Sequence, residues 1–326
     1  MHRQAQGQGE RCHQVHVMNT PIVKPHGVGV IGSGPSCQFV LERLSLRQDF
    51  TATSRWSNDD DARSSGFPGD CVVHSSPQAV VGDPRTTTVY FAGPTPAGLI
   101  DLTIQSGKHV ILESGSAYRS QDLRHLARMA ADRAIIAVVD EPRRWDEDFL
   151  CAKRVFDNGS LGKLERLRLA IHERSLPGEM FPQGVLRELG CHWLDQLLVF
   201  VNDEPTSVRL RKFHDSTPAC EHGFLAVIDF AGGTSAVIEV QTQSLLSLRT
   251  GWLLEGTTGA YRAGRLYSRT TDGEIIDEPV IHPTVGSDPF FDALAAAIQG
   301  SSQAHLVLPG LDHAARVLEL VASGEW

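Results

Sequence analysis

The stretch Gly27-Val-Gly-Val-Ile-Gly-Ser-Gly34 is a short apolar strand running into a glycine-rich turn, and the residues after it, Phe39, Val40, Leu41 and Leu44, recur at helical spacing. A strand that enters a helix through such a turn is the layout of the first βα unit of a dinucleotide-binding domain. Gly32 allows the tight turn, and Gly34 lets the backbone approach a pyrophosphate resting on the helix N-terminus. Gly32, Ser33, Gly34 and Pro35 are therefore the candidate phosphate-binding residues. The third position of the Gly-x-Gly-x-x-Gly pattern holds Cys37, a residue small enough for close helix–strand packing. Taken alone the turn reads equally well as a structural β-turn, so the flanking sequence decides.

Composition sets the outer bounds. A chain of 326 residues, 41% hydrophobic and 21% charged, can bury one large core or two medium ones. Its formal net charge of −9 leaves no basic stripe to neutralise phosphates, which argues against a nucleic-acid partner. No apolar run approaches the roughly 20 residues that span a bilayer, so no membrane partner is expected. Six cysteines are scattered without a C-x-x-C pair, which suggests neither a zinc cage nor a disulfide framework. Reduced thiols in a cytoplasm are the simplest reading, and no metal site is expected. Residues 1–26 are polar and aperiodic and are expected to be a disordered extension, with Met18 as an alternative start.

Downstream of the turn, a second strand is expected over Phe50–Ser54, where dinucleotide enzymes read the ribose 2′ position. The chain there runs Ser54-Arg55-Trp56-Ser57. A guanidinium flanked by hydroxyls suits a 2′-phosphate, because its fork binds phosphate bidentately. Ser54 and Arg55 thus point to NADP; a solvent-facing Arg55 is the bland alternative, and the Asp59-Asp60-Asp61 run is the NAD-type alternative if the register shifts. A third apolar segment, Thr87–Ala92, ends in Gly93-Pro94-Thr95-Pro96, and a helix over Leu99–Ser106 leads to Gly107-Lys-His-Val-Ile-Leu-Glu113-Ser-Gly-Ser116.

These stretches together resemble the Gfo/Idh/MocA (glucose-fructose oxidoreductase and inositol dehydrogenase) family. In that family the last stretch reads Gly-Lys-His-Val, two apolar residues, then Glu-Lys-Pro, with the lysine beside nicotinamide and substrate hydroxyl. Here Ser114 and Gly115 replace Lys and Pro. Pro94 and Thr95 are similar to the family's Ala-Thr-Pro loop against the nicotinamide side, although the histidine usually following it has no counterpart. Pro142-Arg143-Arg144-Trp145 and Gly159–Gly162 resemble the crossing into the second domain. Gly184-Val-Leu-Arg-Glu188-Leu-Gly190-Cys-His192-Trp-Leu-Asp195 resembles the family's Gly-Gly-x-x-x-Asp-x-Gly-x-His-x-x-Asp helix, with Glu188 for the first Asp. On a helix, positions 188 and 192 share a face, and a carboxylate with an imidazole is what proton transfer near neutral pH requires.

The resemblance implies an α/β, Rossmann-like, doubly wound parallel sheet over 27–142. An α+β domain with a large, mostly antiparallel sheet is implied over 143–326, with the last helices packing back on the first domain. It also implies NADP or NAD as cofactor, with Glu113 among the residues that hold it, a small-molecule substrate, and a homodimer or homotetramer through the second sheet. Pattern alone agrees with the second half: Val208–Phe213, Phe224–Phe230, Ser235–Gln241, Trp252–Glu255 and Ala260–Tyr267 are β-rich and separated by glycine turns. Pro289–Gln299 and Leu311–Ala322 are helical in period.

Chemistry follows from the substitution. Ser114 is neutral and cannot stabilise an alkoxide by charge; losing one such group costs on the order of 3–4 kcal/mol. The expected activity is accordingly reduction of a C=N, conjugated or carbonyl group, with His192 as proton donor and Glu188 and Ser114 beside it; Tyr118 is another possible donor. The alternatives are a redox-silent nucleotide- or sugar-binding regulator, and a lyase or isomerase that retains its nicotinamide. Trp145, Trp193 and Trp252 read as core or interface fillers, Ser116 and Ser120 as helix caps, and Cys191 as no partner for His192, since adjacent helix residues diverge.

Overall fold

The computed structural model describes residues 25–58, 70–114, 118–174, 181, 184–214, 221–302 and 307–323. Most of the polar extension, the Asp59–Asp61 run, Gly115 and Ser116 lie outside the described residues.

The first sheet has six parallel strands in the order β3-β2-β1-β4-β5-β6, the doubly wound arrangement with its switch point between β1 and β4. The strands are β1 His26–Gly32, β2 Phe50–Trp56, β3 Val72–Val73, β4 Thr88–Ala92, β5 His109–Glu113 and β6 Ala137–Asp140. Parallel strands buried on both faces read as unbroken apolar runs, and all five residues of β4 are buried. Helices α1 Gly34–Ser45, α2 Pro77–Gly82, α3 Ala97–Gln105 and α4 Ser120–Asp132 cover the faces. Helix α1 buries Cys37, Val40, Leu41 and Leu44. Phe39, read from sequence as part of that face, is 58% exposed. Ser120, read as a cap, is the first residue of α4, whose N-cap is Arg119.

The second sheet has eight strands, ordered β14-β13-β12-β11-β7-β10-β9-β8, antiparallel except for the pair β7–β10. They are β7 Leu164–Arg174, β8 Pro205–His214, β9 Glu221–Phe230, β10 Ser235–Gln241, β11 Gln243–Gly256, β12 Gly259–Arg262, β13 Arg265–Arg269 and β14 Ile275–Pro279. The single strand expected over Ala260–Tyr267 is a hairpin instead: Ala263 (φ 47°) and Gly264 (φ 74°) turn the chain between β12 and β13. Central strand β7, which directly follows the Gly159–Gly162 turn, was not anticipated. One face of the sheet packs on helices α5 Glu147–Asp157 and α6 Cys191–Phe200, with Phe149, Leu197, Phe200, Phe224 and Trp252 in one core. The Trp252 indole N–H donates to Gln196 Oε1 at 2.6 Å, which satisfies a polar atom that burial would otherwise penalise.

Helices α7 Pro289–Ile298 and α8 Leu311–Ala322 return to the first domain. Phe290, Phe291 and Leu294 join the core of Val28, Val40 and Phe50. Helix α8 straddles the seam: Leu311 and Ala315 sit with the parallel sheet, Val317 and Leu320 with the second core. Among the described residues no helix is long and apolar enough to cross a membrane, and no cluster of His, Cys, Asp or Glu could hold a metal ion.

Candidate active site

A cleft of about 710 Å³ opens beyond the C-terminal ends of β1, β2 and β4, lined among others by Gly32, Ser33, Ser36, Trp56, Asn58 and Thr95. Gly32 is fixed by close approach: a Cβ there would lie 2.1 Å from the carbonyl oxygen of Ala92. At the start of α1 the Ser33 side chain makes no capping hydrogen bond and the first turn holds no acidic residue. The turn thus offers an N-terminal dipole with no acidic residue of its own, as a bound pyrophosphate requires. Glycines at the turn, a proline–threonine loop opposite and an elongated cleft between them fit a dinucleotide.

The sequence-predicted residues separate into three groups. Gly32, Ser33, Pro94, Thr95 and Glu113 line the cleft, while Gly34 and Pro35 open α1 behind it. Ser54 and Arg55 do not line it. Strand β2 continues two residues further than expected, so both lie within the sheet rather than at its end. The fully buried Ser54 hydroxyl is 2.8 Å from Thr86 Oγ1. Arg55 is buried beside Cys37 and Cys71; burial pushes the Cys37 thiol up to about 11, against the pull of Arg55. Trp56 and Asn58 occupy the edge assigned from sequence to Arg55.

Glu113 ends β5 and borders both the cleft and a smaller cavity of about 50 Å³ in the seam between the domains. Burial raises the Glu113 carboxyl above the usual range, and a hydrogen bond from Ser36 opposes that shift. The seam cavity is also lined by Ser114, Glu141, Arg187, Cys191 and Asp195. Glu141 follows directly on β6, and its Oε1 lies 2.5 Å from Nδ1 of His192. Burial works against a charge on His192, yet the adjacent Glu141 carboxylate, by charge and by hydrogen bond, holds its pKa above the ordinary 6.5. The carboxylate brought onto His192 is thus Glu141, supplied by the first domain, rather than Glu188 one turn away.

Glu188 lies in a π-helical turn, Leu186–Gly190, which leads into α6. Such turns widen a helix locally and are frequent at functional sites. Its entry is fixed by Glu221, whose Oε1 accepts from the Leu186 N–H at 3.2 Å. One turn beyond His192, Asp195 receives a bidentate pair from Arg144 at 2.7 and 2.9 Å, and His313 Nε2 of α8 lies 2.9 Å away. Burial opposes ionisation of Asp195, but Arg144 and His313 bring its carboxyl down to about 2. Three chain segments from both domains therefore meet on the face of α6 that carries His192.

Glu141, Arg187 and His313 were not singled out from sequence. Glu141 had a usable signal, an acidic residue directly after a parallel strand, at the carboxyl edge where such sheets bind ligands. Arg187 and His313 had none, because their neighbours are distant in sequence. Cys191 is buried and its thiol is pushed well above the usual range by that burial, so it is no nucleophile for His192.

A doubly wound parallel sheet joined to a large, mostly antiparallel sheet, with a paired histidine at the seam, defines a two-sheet α/β class of protein. Residues 149–262 match the GFO/IDH/MocA C-terminal domain, so that part of the chain is similar to the Gfo/Idh/MocA family. It is 29% identical over 183 residues to the scyllo-inositol 2-dehydrogenase (NADP(+)) of Bacillus subtilis, which is 52% of this chain and 50% of that one. It is 24% identical over 117 residues to an inositol 2-dehydrogenase of Rhizobium meliloti, 35% of this chain and 36% of that one. The matched stretch therefore spans about half the length of the first relative and about a third of the second. Among solved structures, an NAD-binding protein from Listeria innocua superposes with a TM-score of 0.76 at 22% identity, covering 91% of this chain and 93% of that one. An oxidoreductase from Bacillus cereus gives 0.78 at 16% identity, covering 92% and 96%. Those likenesses establish the fold.

Proposed function

We propose that this protein is an NAD(P)-dependent oxidoreductase that reduces a carbonyl, C=N or conjugated group of a small molecule, with His192 as the proton donor. The observation that carries the reading is the His192–Glu141 pair, at 2.5 Å, whose Glu141 lines the seam cavity that shares Glu113 with the cleft. Gly32, Ser33, Pro94, Thr95 and Glu113, which line the cleft, would hold a nicotinamide cofactor, and that cofactor would supply the reducing equivalent. The chain's own residues do the rest. Glu141 fixes the imidazole through Nδ1 and keeps it protonated towards neutral pH, which leaves Nε2 to deliver a proton to the oxygen or nitrogen of the substrate. Ser114 contributes a hydroxyl without charge.

Polyol oxidation, the activity named for the Bacillus relative, asks for a base and a positive charge at the position of Ser114, and Ser114 provides neither. That relative's printed NADP(+) supports NADP as the cofactor, whereas the edge of the cleft that would meet the 2′ position carries Trp56 and Asn58. In the same reading the protein works in the cytoplasm as a homodimer or homotetramer. The contact would use the open face of the eight-stranded sheet, where Val237 and Leu253 lie among Arg168 and Glu239. The test is fluorescence titration of the purified chain with NADPH and NADH, then a screen of carbonyl and imine acceptors for loss of reduced-nicotinamide absorbance. Failure to bind either cofactor sinks the proposal.

A further inference from the structure

Arg187 is a cation in the seam cavity without a described counter-ion. Its Nε is buried and meets no hydrogen-bonding group among the described residues. Its one described polar contact runs from a terminal nitrogen to the Tyr118 carbonyl oxygen at 3.4 Å, and it has no ion pair with any described residue. The acids around it are already engaged. Glu141 is held by His192 at 2.5 Å, and Asp195 by Arg144 at 2.7 Å with His313 at 2.9 Å. Glu113, the remaining acid of the cavity, is pushed by burial towards its neutral form and accepts from Ser36. Arg187 is half-buried with its Nε enclosed; a guanidinium cannot shed its proton to escape that burial, so one unmatched among the described residues is suited to an anionic ligand.

We infer that Arg187 anchors a carboxylate of the substrate in the seam cavity, so that the substrate is a small 2-oxo acid or the corresponding imino acid. The inference rests on the reductase reading and deepens it. Size agrees: about 50 Å³ of free space takes a carboxylate headgroup, or a few waters at roughly 10–15 Å³ each. Placement agrees as well. Glu113 walls both the seam cavity and the cleft, so an anchored carboxylate leaves the neighbouring C=O or C=N carbon at the end of the cleft. Arg187 also supplies the positive charge that Ser114 does not, from the opposite domain. It cannot act as a base, so the proton still belongs to His192.

The test is calorimetric titration of the full chain with oxamate, a carboxylate that cannot be reduced, and with dihydroxyacetone as the uncharged control. Wild type is expected to bind oxamate and not the control. Arg187→Gln should weaken oxamate binding about tenfold or more, and Arg187→Lys should recover part of it because charge survives while the fork is lost. Equal binding by wild type and Arg187→Gln, or no oxamate binding by wild type, overturns the inference. Should Arg187→Gln fail to fold, protection is read on wild type: oxamate must shield Arg187 from phenylglyoxal, followed by peptide mass spectrometry, and an unshielded Arg187 overturns the inference. The two readings fail separately. A chain that binds oxamate through Arg187 but oxidises no reduced nicotinamide sinks the reductase reading alone. One that turns over 2-oxo acids equally well as Arg187→Gln sinks the anchor alone.

Discussion

His192 on the second domain and Glu141 at the end of the last parallel strand of the first are joined at 2.5 Å across the domain seam. The imidazole is thereby placed by both domains at once, and any shift of one against the other changes its environment. Its pKa is raised above 6.5, with burial opposed by the Glu141 carboxylate. A raised histidine contributes stability that is complete below the ordinary value and is lost as pH rises through the folded one. As proton donor it should give a reductase rate that is flat at low pH and falls on a limb lying above 6.5. Glu141→Gln should move that limb to lower pH, and His192→Asn should lower turnover by about 10²–10⁴-fold. A pH–rate profile on the three proteins checks both; an unmoved limb in Glu141→Gln rejects the pairing as the cause.

Asp195 is the second seam residue with a testable charge. Its carboxyl lies near 2 rather than 3.8, so its contribution is present above 3.8 and is lost as pH falls towards 2. Asp195→Asn leaves the buried Arg144 without its bidentate partner and should cost about 3–5 kcal/mol. Denaturant unfolding near neutral pH measures this, and the gap between wild type and variant should narrow on acidification.

Cofactor choice should be set at Asn58 rather than Arg55. Asn58→Asp adds a carboxylate to the cleft edge, which accepts from a ribose diol and repels a 2′-phosphate. The ratio of NADH to NADPH affinity should rise about tenfold or more, since a charge contact of this kind is worth roughly 1.5–3 kcal/mol. Arg55→Met should instead act mainly on stability, because Arg55 is buried beneath the sheet edge. Dissociation constants for both dinucleotides and a melting curve separate the two effects.

Gly32→Ala should abolish dinucleotide binding and lower the melting temperature together. The added Cβ would sit 2.1 Å from the Ala92 carbonyl oxygen, a backbone group of the neighbouring strand that cannot swing aside. A variant that melts like wild type and still binds NADPH would show that the turn has room the geometry denies.

Local chemistry was legible in the chain. Gly27–Gly34 announced a strand, a turn and a helix because each needs only its own residues and their period, and strand burial on both faces made the apolar runs visible. The seam was legible in part: His192 stands at a recognisable spacing, but its partner lies 51 positions away. The limit of β2 was misjudged by two residues because Arg55 and Trp56 break no backbone rule, and pairing with β1, and with β3 at Arg55, carries the strand on. That small shift moved Ser54 and Arg55 out of the cleft and Trp56 and Asn58 into it.

By itself the sequence determined the βα units of the first half, the β-rich character of the second and the loss of the charged side chain at Ser114, since periodicity, turn residues and residue identity are properties of neighbours along the chain. Tertiary structure decided which charges are satisfied. Glu141 meets His192, Asp195 meets Arg144, and Arg187 is left facing the seam cavity, because pairing depends on distances that arise only when β6, α6 and α8 pack together.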